Sequence, residues 1–289
     1  MPAETPIRAL RIHLGAHKTA TTHLQKALHK HRAALRAADI DFVRPVELRA
    51  ALNPGERRLR LPWRERARSE AALAGLRTGA GTLAISEENL AGLIRDLFDA
   101  TPYRNLAARL GPLARLAGAA PPALFLAARS FDRLWPSAHA EALRHHPHDP
   151  GRIDRLRRIA RSAPPSWIDV VDRLARACPQ ATIRVWRYED HAAHWRSIAA
   201  AFVGADTGPI AGVTRPKGSM SPSAEGVRLA EAVTGPDRRA AVLAIFAAHP
   251  AAAGEPYAPF DAAETAALRA RYEADLAGLR ARGQLLVFD

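Results

Sequence analysis

The segment Ile12-His13-Leu14-Gly15-Ala16-His17-Lys18-Thr19-Ala20-Thr21-Thr22-His23-Leu24-Gln25 concentrates residue types that bind an anion. An apolar run ends in Gly15, passes through Lys18, Thr19, Thr21 and Thr22, and opens directly onto a helical pattern. A chain that turns there from strand into helix presents a nest of backbone N–H groups at the positive end of the helix dipole. Lys18 adds a mobile positive charge and the threonine hydroxyls add donors. Such a cradle fits a phosphate or a mixed phosphate and sulfate group, and His17 lies where it would touch that ligand or a second substrate. The competing reading is a capped strand-to-helix turn whose lysine faces solvent. A Walker A loop would place glycine directly before the lysine, where this chain has His17.

Lys18-Thr19-Ala20-Thr21-Thr22, followed by Leu24-Gln25, resembles the 5′-phosphosulfate loop of the sulfotransferase family, whose pattern is Lys-Thr/Ser-Gly-Thr-Thr. Ala20 replaces the usual Gly and is expected to occupy a right-handed turn. The resemblance continues at Arg129, which follows Phe125-Leu126-Ala127-Ala128, and at Ser137, eight residues later. It implies that this pair holds the 3′-phosphate of 3′-phosphoadenosine 5′-phosphosulfate, by a forked cation and a hydroxyl. Ile85-Ser86-Glu87-Glu88-Asn89-Leu90 resembles the family's strand that ends in a general base, and aligning Asn89-Leu90 selects Glu88 over Glu87. Two glutamates that favour a helix dipole are the plainer alternative. Tyr188, in Arg187-Tyr188-Glu189-Asp190, is implied as an adenine neighbour. Arg215, Lys217 and Gly218 fall where the family closes a basic loop over the nucleotide. The resemblance spans Ile12 to about Ser219, with a familiar helix around Tyr272. It implies a P-loop-containing nucleoside triphosphate hydrolase-like fold and sulfuryl transfer to a hydroxyl or amine. Lys18 and Glu88 would be catalytic, with His17, Thr19, Ala20, Thr21 and Thr22 joining Lys18 at the donor and no metal required.

Positioning these groups requires an α/β scaffold. Short apolar runs alternate with amphipathic stretches, which predicts a mostly parallel sheet of four or five strands flanked by helices. The expected strands are residues 9–14, 82–86, 123–127 and 182–188, with a fifth at 40–43. Leu24, Leu28, His31 and Leu35 recur at helical spacing and predict one helix from Thr22 onward. Further helices are expected over 103–116, 132–143, 167–177, 195–202 and 262–282, and loops over 118–122, 147–151 and 204–218. Residues 1–289 read as a single domain, with 204–289 as a helical extension and nucleotide-closing loop.

Composition narrows the partners. A formal charge of +13 over 289 residues suits nucleic acid, anionic lipid or a small polyanion. The arginine runs at 57–68 and 152–161 read as solvated helix faces, and no zinc-finger, RNA-binding or heptad motif is present, so nucleic acid is not an expected partner. Of the 12 histidines, His29 and His31, and His145, His146 and His148, lack the partner spacing of zinc sites, so no metal is expected. The single cysteine, Cys178, excludes an intrachain disulfide. No apolar run reaches the roughly 20 residues of a membrane span, and Met1 to Leu10 is not a leader, so the expected compartment is the cytoplasm. Arginines at 50–69 and 145–165 fit an anionic acceptor, a small molecule or a carbohydrate, and fit a solvated surface equally well. The alternatives are a P-loop kinase, which would need an acidic Mg²⁺ ligand, and a non-catalytic nucleotide or polyanion binder.

Overall fold

Alternation at period two divides the side chains of each strand between two faces of a sheet. The computed structural model describes residues 7–52, 71, 74–107, 109–110, 121–205 and 221–288. Its strands are β1 (Ala9–Gly15), β2 (Ile40–Val43), β3 (Thr82–Ser86), β4 (Ala123–Ala128) and β5 (Thr182–Arg187). All pair in parallel, in the order β2-β3-β1-β4-β5, so that Ile12 of β1 stands between Ile85 and Leu124. The helices, in chain order, are α1 (Thr21–Lys30), α2 (Arg32–Ala37), α3 (Pro45–Leu52), α4 (Phe131–His145), α5 (Arg152–Ser162), α6 (Trp167–Ala177), α7 (His191–Val203), α8 (Ala224–Glu231), α9 (Arg238–Ala248) and α10 (Ala262–Ala281). No helix among the described residues is long and apolar enough to cross a membrane.

Each face of the sheet has its own core. Leu24, Leu28 and Leu35 of α1 and α2 pack with Trp195 and Phe202 of α7 against Phe42, Phe125 and Trp186. On the other face, Ile12, Leu124 and Val185 meet Leu134 and Trp135 of α4, Trp167 of α6 and Leu268 of α10. Burying each such side chain contributes roughly 1.5–3 kcal/mol. Helices α8 and α9 bury Val227, Val242 and Phe246 against Ala140 and Leu143 of α4. The chain therefore leaves β1 toward one face and β4, its sheet neighbour, toward the other. Loops that diverge in this way open a crevice at the carboxyl ends of the strands, where ligands of open parallel sheets bind.

Several local expectations are corrected. The helix expected to run from Thr22 through Leu35 breaks at His31 (φ −101°, ψ 17°) into α1 and α2. No glycine or proline marks that break. The arginine run at 152–161 forms most of α5, which is not a wholly solvated face, because Arg152, Leu156 and Ala160 are buried. β5 stops at Arg187, and Tyr188–Asp190 is a 3-10 turn. Of the expected 103–116 helix, residues 103–105 form a turn with helix beginning at Leu106, and residues 108 and 111–116 lie outside the described residues.

Candidate functional site

Gly15 closes β1 in left-handed backbone (φ 74°), and Lys18 (φ 64°) and Ala20 (φ 63°) adopt the same conformation before α1 begins. A side chain at Gly15 would lie 3.0 Å from Cβ of Glu88 and 3.1 Å from Oγ1 of Thr21, so the loop needs glycine there for space as well as for φ. Ala20 is not in a right-handed turn. Its positive φ costs about 1–2 kcal/mol that glycine would not incur, and Lys18 bears a similar strain. No side chain caps the first turn of α1, which points its N–H groups to the carboxyl end of β1. The hydroxyl of Thr19 donates to the Ala16 carbonyl at 2.6 Å and that of Thr21 to the same oxygen at 3.4 Å. These two threonines brace the loop, and Thr22 is exposed.

His17 is held by two residues that its neighbours in sequence do not announce. Its backbone N–H donates to the hydroxyl of buried Tyr103 at 3.0 Å, and its Nδ1 lies 3.0 Å from that same hydroxyl. Its Nε2 lies 3.2 Å from Oδ1 of Asn89. Burial lowers the pKa of His17 against the pull of Glu88, the Asn89 hydrogen bond, Asp96 and Glu141, which favours the neutral ring. A neutral ring that accepts from Tyr103 at Nδ1 donates to Asn89 at Nε2, which satisfies all three groups.

Arg129, at the end of β4, reaches across to the cradle. Its Nη1 donates to the Lys18 carbonyl at 2.7 Å, its guanidinium lies 4.3 Å from the centre of the Tyr188 ring, and its own carbonyl accepts from Trp167 Nε1 at 2.9 Å. One face of the Tyr188 ring is thus covered by Arg129. Burial lowers the pKa of Arg129, and its Nε is buried without a hydrogen-bond partner. Tyr272 of α10 locks the adjoining backbone, donating to Glu189 at 2.7 Å and lying 3.2 Å from the Ala128 carbonyl.

Lys18, Arg129 and Ser137 line one cleft of about 540 Å³. Among its described residues, Lys18, Arg129, Arg133, Arg144 and Arg269 face only Asp132 and Glu141 in charge, so the cleft favours an anion. Lys18 Nζ is held by Glu141 at 3.2 Å, and Arg144 donates to that carboxylate at 3.0 Å. Burial alone would raise the pKa of Glu141, but His145, Lys18 and Arg144 pull it down to about 2. The cradle lysine is therefore already paired with an internal carboxylate. Glu141 is the residue that sequence reasoning missed most clearly. It stands one helical turn beyond Ser137, on the face that Ser137 shares.

The two glutamates after β3 separate sharply. Glu87 is fully buried, takes both Nε and Nη2 of Arg49 at 2.5 and 2.6 Å, and caps the 3-10 turn by accepting from the Asn89 N–H at 2.9 Å. Burial raises its pKa against the pull of Arg49. Glu88 is partly exposed, accepts from Gln25 Nε2 at 3.2 Å and lies 3.7 Å from Arg49. Gln25 also bonds Ser86, which meets His13 Nδ1 at 2.9 Å. Glu88 thus sits beside Gly15, at the mouth of the loop, with its carboxylate partly open to solvent. No family model, curated protein or solved structure matches this chain. Arg215, Lys217 and Gly218 lie outside the described residues.

Proposed function

We propose that this chain is a cytoplasmic sulfotransferase with a P-loop-like nucleotide fold, in which residues 1–289 form a single domain. The donor in this reading is 3′-phosphoadenosine 5′-phosphosulfate. The observation that carries it is the convergence of Lys18 and Arg129 from adjacent strands on one cationic cleft, with Ser137 on its wall. A phosphosulfate in the Lys18 loop and a second phosphate near Arg129 and Ser137 would match that charge distribution. A single phosphate would leave much of it unused.

In this reaction Glu88 takes the proton of an acceptor hydroxyl or amine as it attacks sulfur in line. The bond from sulfur to the bridging phosphate oxygen breaks, and adenosine 3′,5′-bisphosphate leaves. Lys18 exchanges Glu141 for the negative charge growing on that bridging oxygen, and the N–H groups of loop 15–20 hold the 5′ end. Orientation and charge stabilisation supply most of the rate, and the displacement needs no metal. The exposure of Glu88 and the complete pairing of Glu87 support Glu88 as the base. The acceptor is a small molecule or carbohydrate; nucleic acid and membrane insertion play no part in this proposal.

Calorimetric titration with adenosine 3′,5′-bisphosphate, with adenosine 5′-monophosphate and ATP/Mg²⁺ as controls, tests the reading. Binding that requires the 3′-phosphate and is lost in Arg129→Ala is the expected result. Preference for ATP/Mg²⁺, or no binding at all, would overturn it.

A further inference from the structure

The sequence spacing of the histidines hides a cluster that the fold assembles from three separate elements. His139 lies in α4, His148 in the loop between α4 and α5, and Glu231 at the end of α8. One ligand atom from each lies within 4.8 Å of the other two. His139 is fully buried, with its Nε2 2.8 Å from Oε1 of Glu231. Nδ1 of His148 is shielded from solvent, makes no hydrogen bond and stands 3.9 Å from the same carboxylate oxygen.

The geometry points to a site for a divalent transition metal of the zinc class, bound by His139, His148 and Glu231. Two imidazoles and one carboxylate are the donor set that such ions select over magnesium or calcium. An ion with bonds of about 2.0–2.1 Å in tetrahedral geometry keeps its ligand atoms roughly 3.3 Å apart. The observed 2.8 and 3.9 Å bracket that spacing for the two pairs that include Glu231, and all three ligand atoms lie within 4.8 Å of one another, so modest side-chain adjustments close the shell. His148 and Glu231 are each about one-quarter exposed, which leaves water a path to the fourth position.

Arg152 opposes the ion. Its Nη1 approaches Nδ1 of His139 at 3.4 Å. Ligation through Nε2 puts the ring proton on Nδ1, so Arg152 must give up that contact while keeping its stack on Phe98, at 4.6 Å. The site has a structural consequence for the cleft. It clamps α8 to α4, and His139 stacks at 5.7 Å on Tyr257, which lines the cleft wall. The assignment stands independently of the reaction proposed above.

The test is calorimetric titration of chelator-treated, tag-free full-length protein with Zn²⁺, together with the absorption spectrum of the Co²⁺-loaded protein. One equivalent of metal should bind, with a spectrum of four-coordinate nitrogen and oxygen ligation and a higher Tm. His148→Ala and Glu231→Gln should each weaken binding by about ten-fold or more, Arg152→Met should tighten it, and His29→Ala should leave it unchanged. His148→Ala changes only a partly exposed loop side chain, and the circular dichroism of the metal-free variant checks its fold. Absence of saturable binding, or binding that survives both ligand variants, would overturn the assignment.

Discussion

Glu141→Gln is the substitution that most directly separates what holds the cleft together from what the cleft binds. The carboxylate of Glu141 is drawn from 4.5 to about 2 by His145, Lys18 and Arg144 acting against burial. At about 1.4 kcal/mol per pKa unit, that shift sets an upper bound of roughly 3 kcal/mol on what the ionised group contributes at neutral pH. Its side chain is 24% exposed, so solvent screening reduces the figure to about 1–2 kcal/mol. The glutamine variant should therefore unfold roughly 2–8 °C lower, at about 2–4 °C per kcal/mol for a domain of this size. Because the folded pKa is depressed, this stabilisation is complete above the unfolded value and fades as pH falls toward 2. The gap in Tm between parent and variant should accordingly stay flat from neutral pH down to about pH 5 and narrow below it. Ligand affinity should move the opposite way. Removing one of the two carboxylates that face five cations frees Lys18 and raises the net charge of the cleft. Adenosine 3′,5′-bisphosphate should then bind about five- to ten-fold tighter, roughly 1–1.4 kcal/mol. Calorimetry and thermal unfolding on the same preparation read both effects. A variant that is less stable yet binds the bisphosphate no better would refute the idea that Glu141 competes with the ligand for Lys18.

Three further substitutions probe the loop and the glutamate pair. Ala20→Gly relieves about 1–2 kcal/mol of left-handed strain, against about 0.4–1 kcal/mol of added unfolded-state entropy. A rise in Tm of up to about 6 °C is expected, and a fall would contradict the positive φ. Glu87→Gln strips the buried partner from Arg49 and should cost about 3 kcal/mol or more in denaturant unfolding. Glu88→Gln should change stability by less than about 1 kcal/mol while lowering transfer about 10²- to 10⁴-fold once an acceptor is in hand; equal turnover would remove Glu88 from the reaction.

The strands were legible because each is an apolar run bounded by polar residues or glycine, and β2 and β3 match the expected bounds residue for residue. The helix expected at 167–177 also matches its bounds, and Ser166 caps it by accepting from the Asp169 N–H. What escaped depends on contacts made far along the chain. Nothing near Lys18 announces Glu141, 123 residues away, and nothing near His17 announces Tyr103, 86 residues away. Ala20 reads as an ordinary turn residue because alanine is normally right-handed there; the loop that closes over Gly15 and Glu88 imposes the other hand. The identical-looking pair Glu87 and Glu88 could be divided only by alignment, whereas burial divides them outright. His148 shows no metal-site spacing in the sequence because its partners, His139 and Glu231, come from two separate helices.

The central place of β1 also governs the order in which the chain can fold. β1 leaves the ribosome before the other four strands, yet its neighbours are β3 and β4, and His13 waits for Ser86, 73 residues later. At a synthesis rate of about 5–20 residues per second, that delay lasts roughly 4–15 seconds. Throughout it, Leu10, Ile12 and Leu14, all buried in the finished sheet, have no strand beside them. The strand that leads into the Lys18 loop is thus the one a chaperone would be expected to hold longest during synthesis, and β1 is where a slow or premature pairing would first divert the chain.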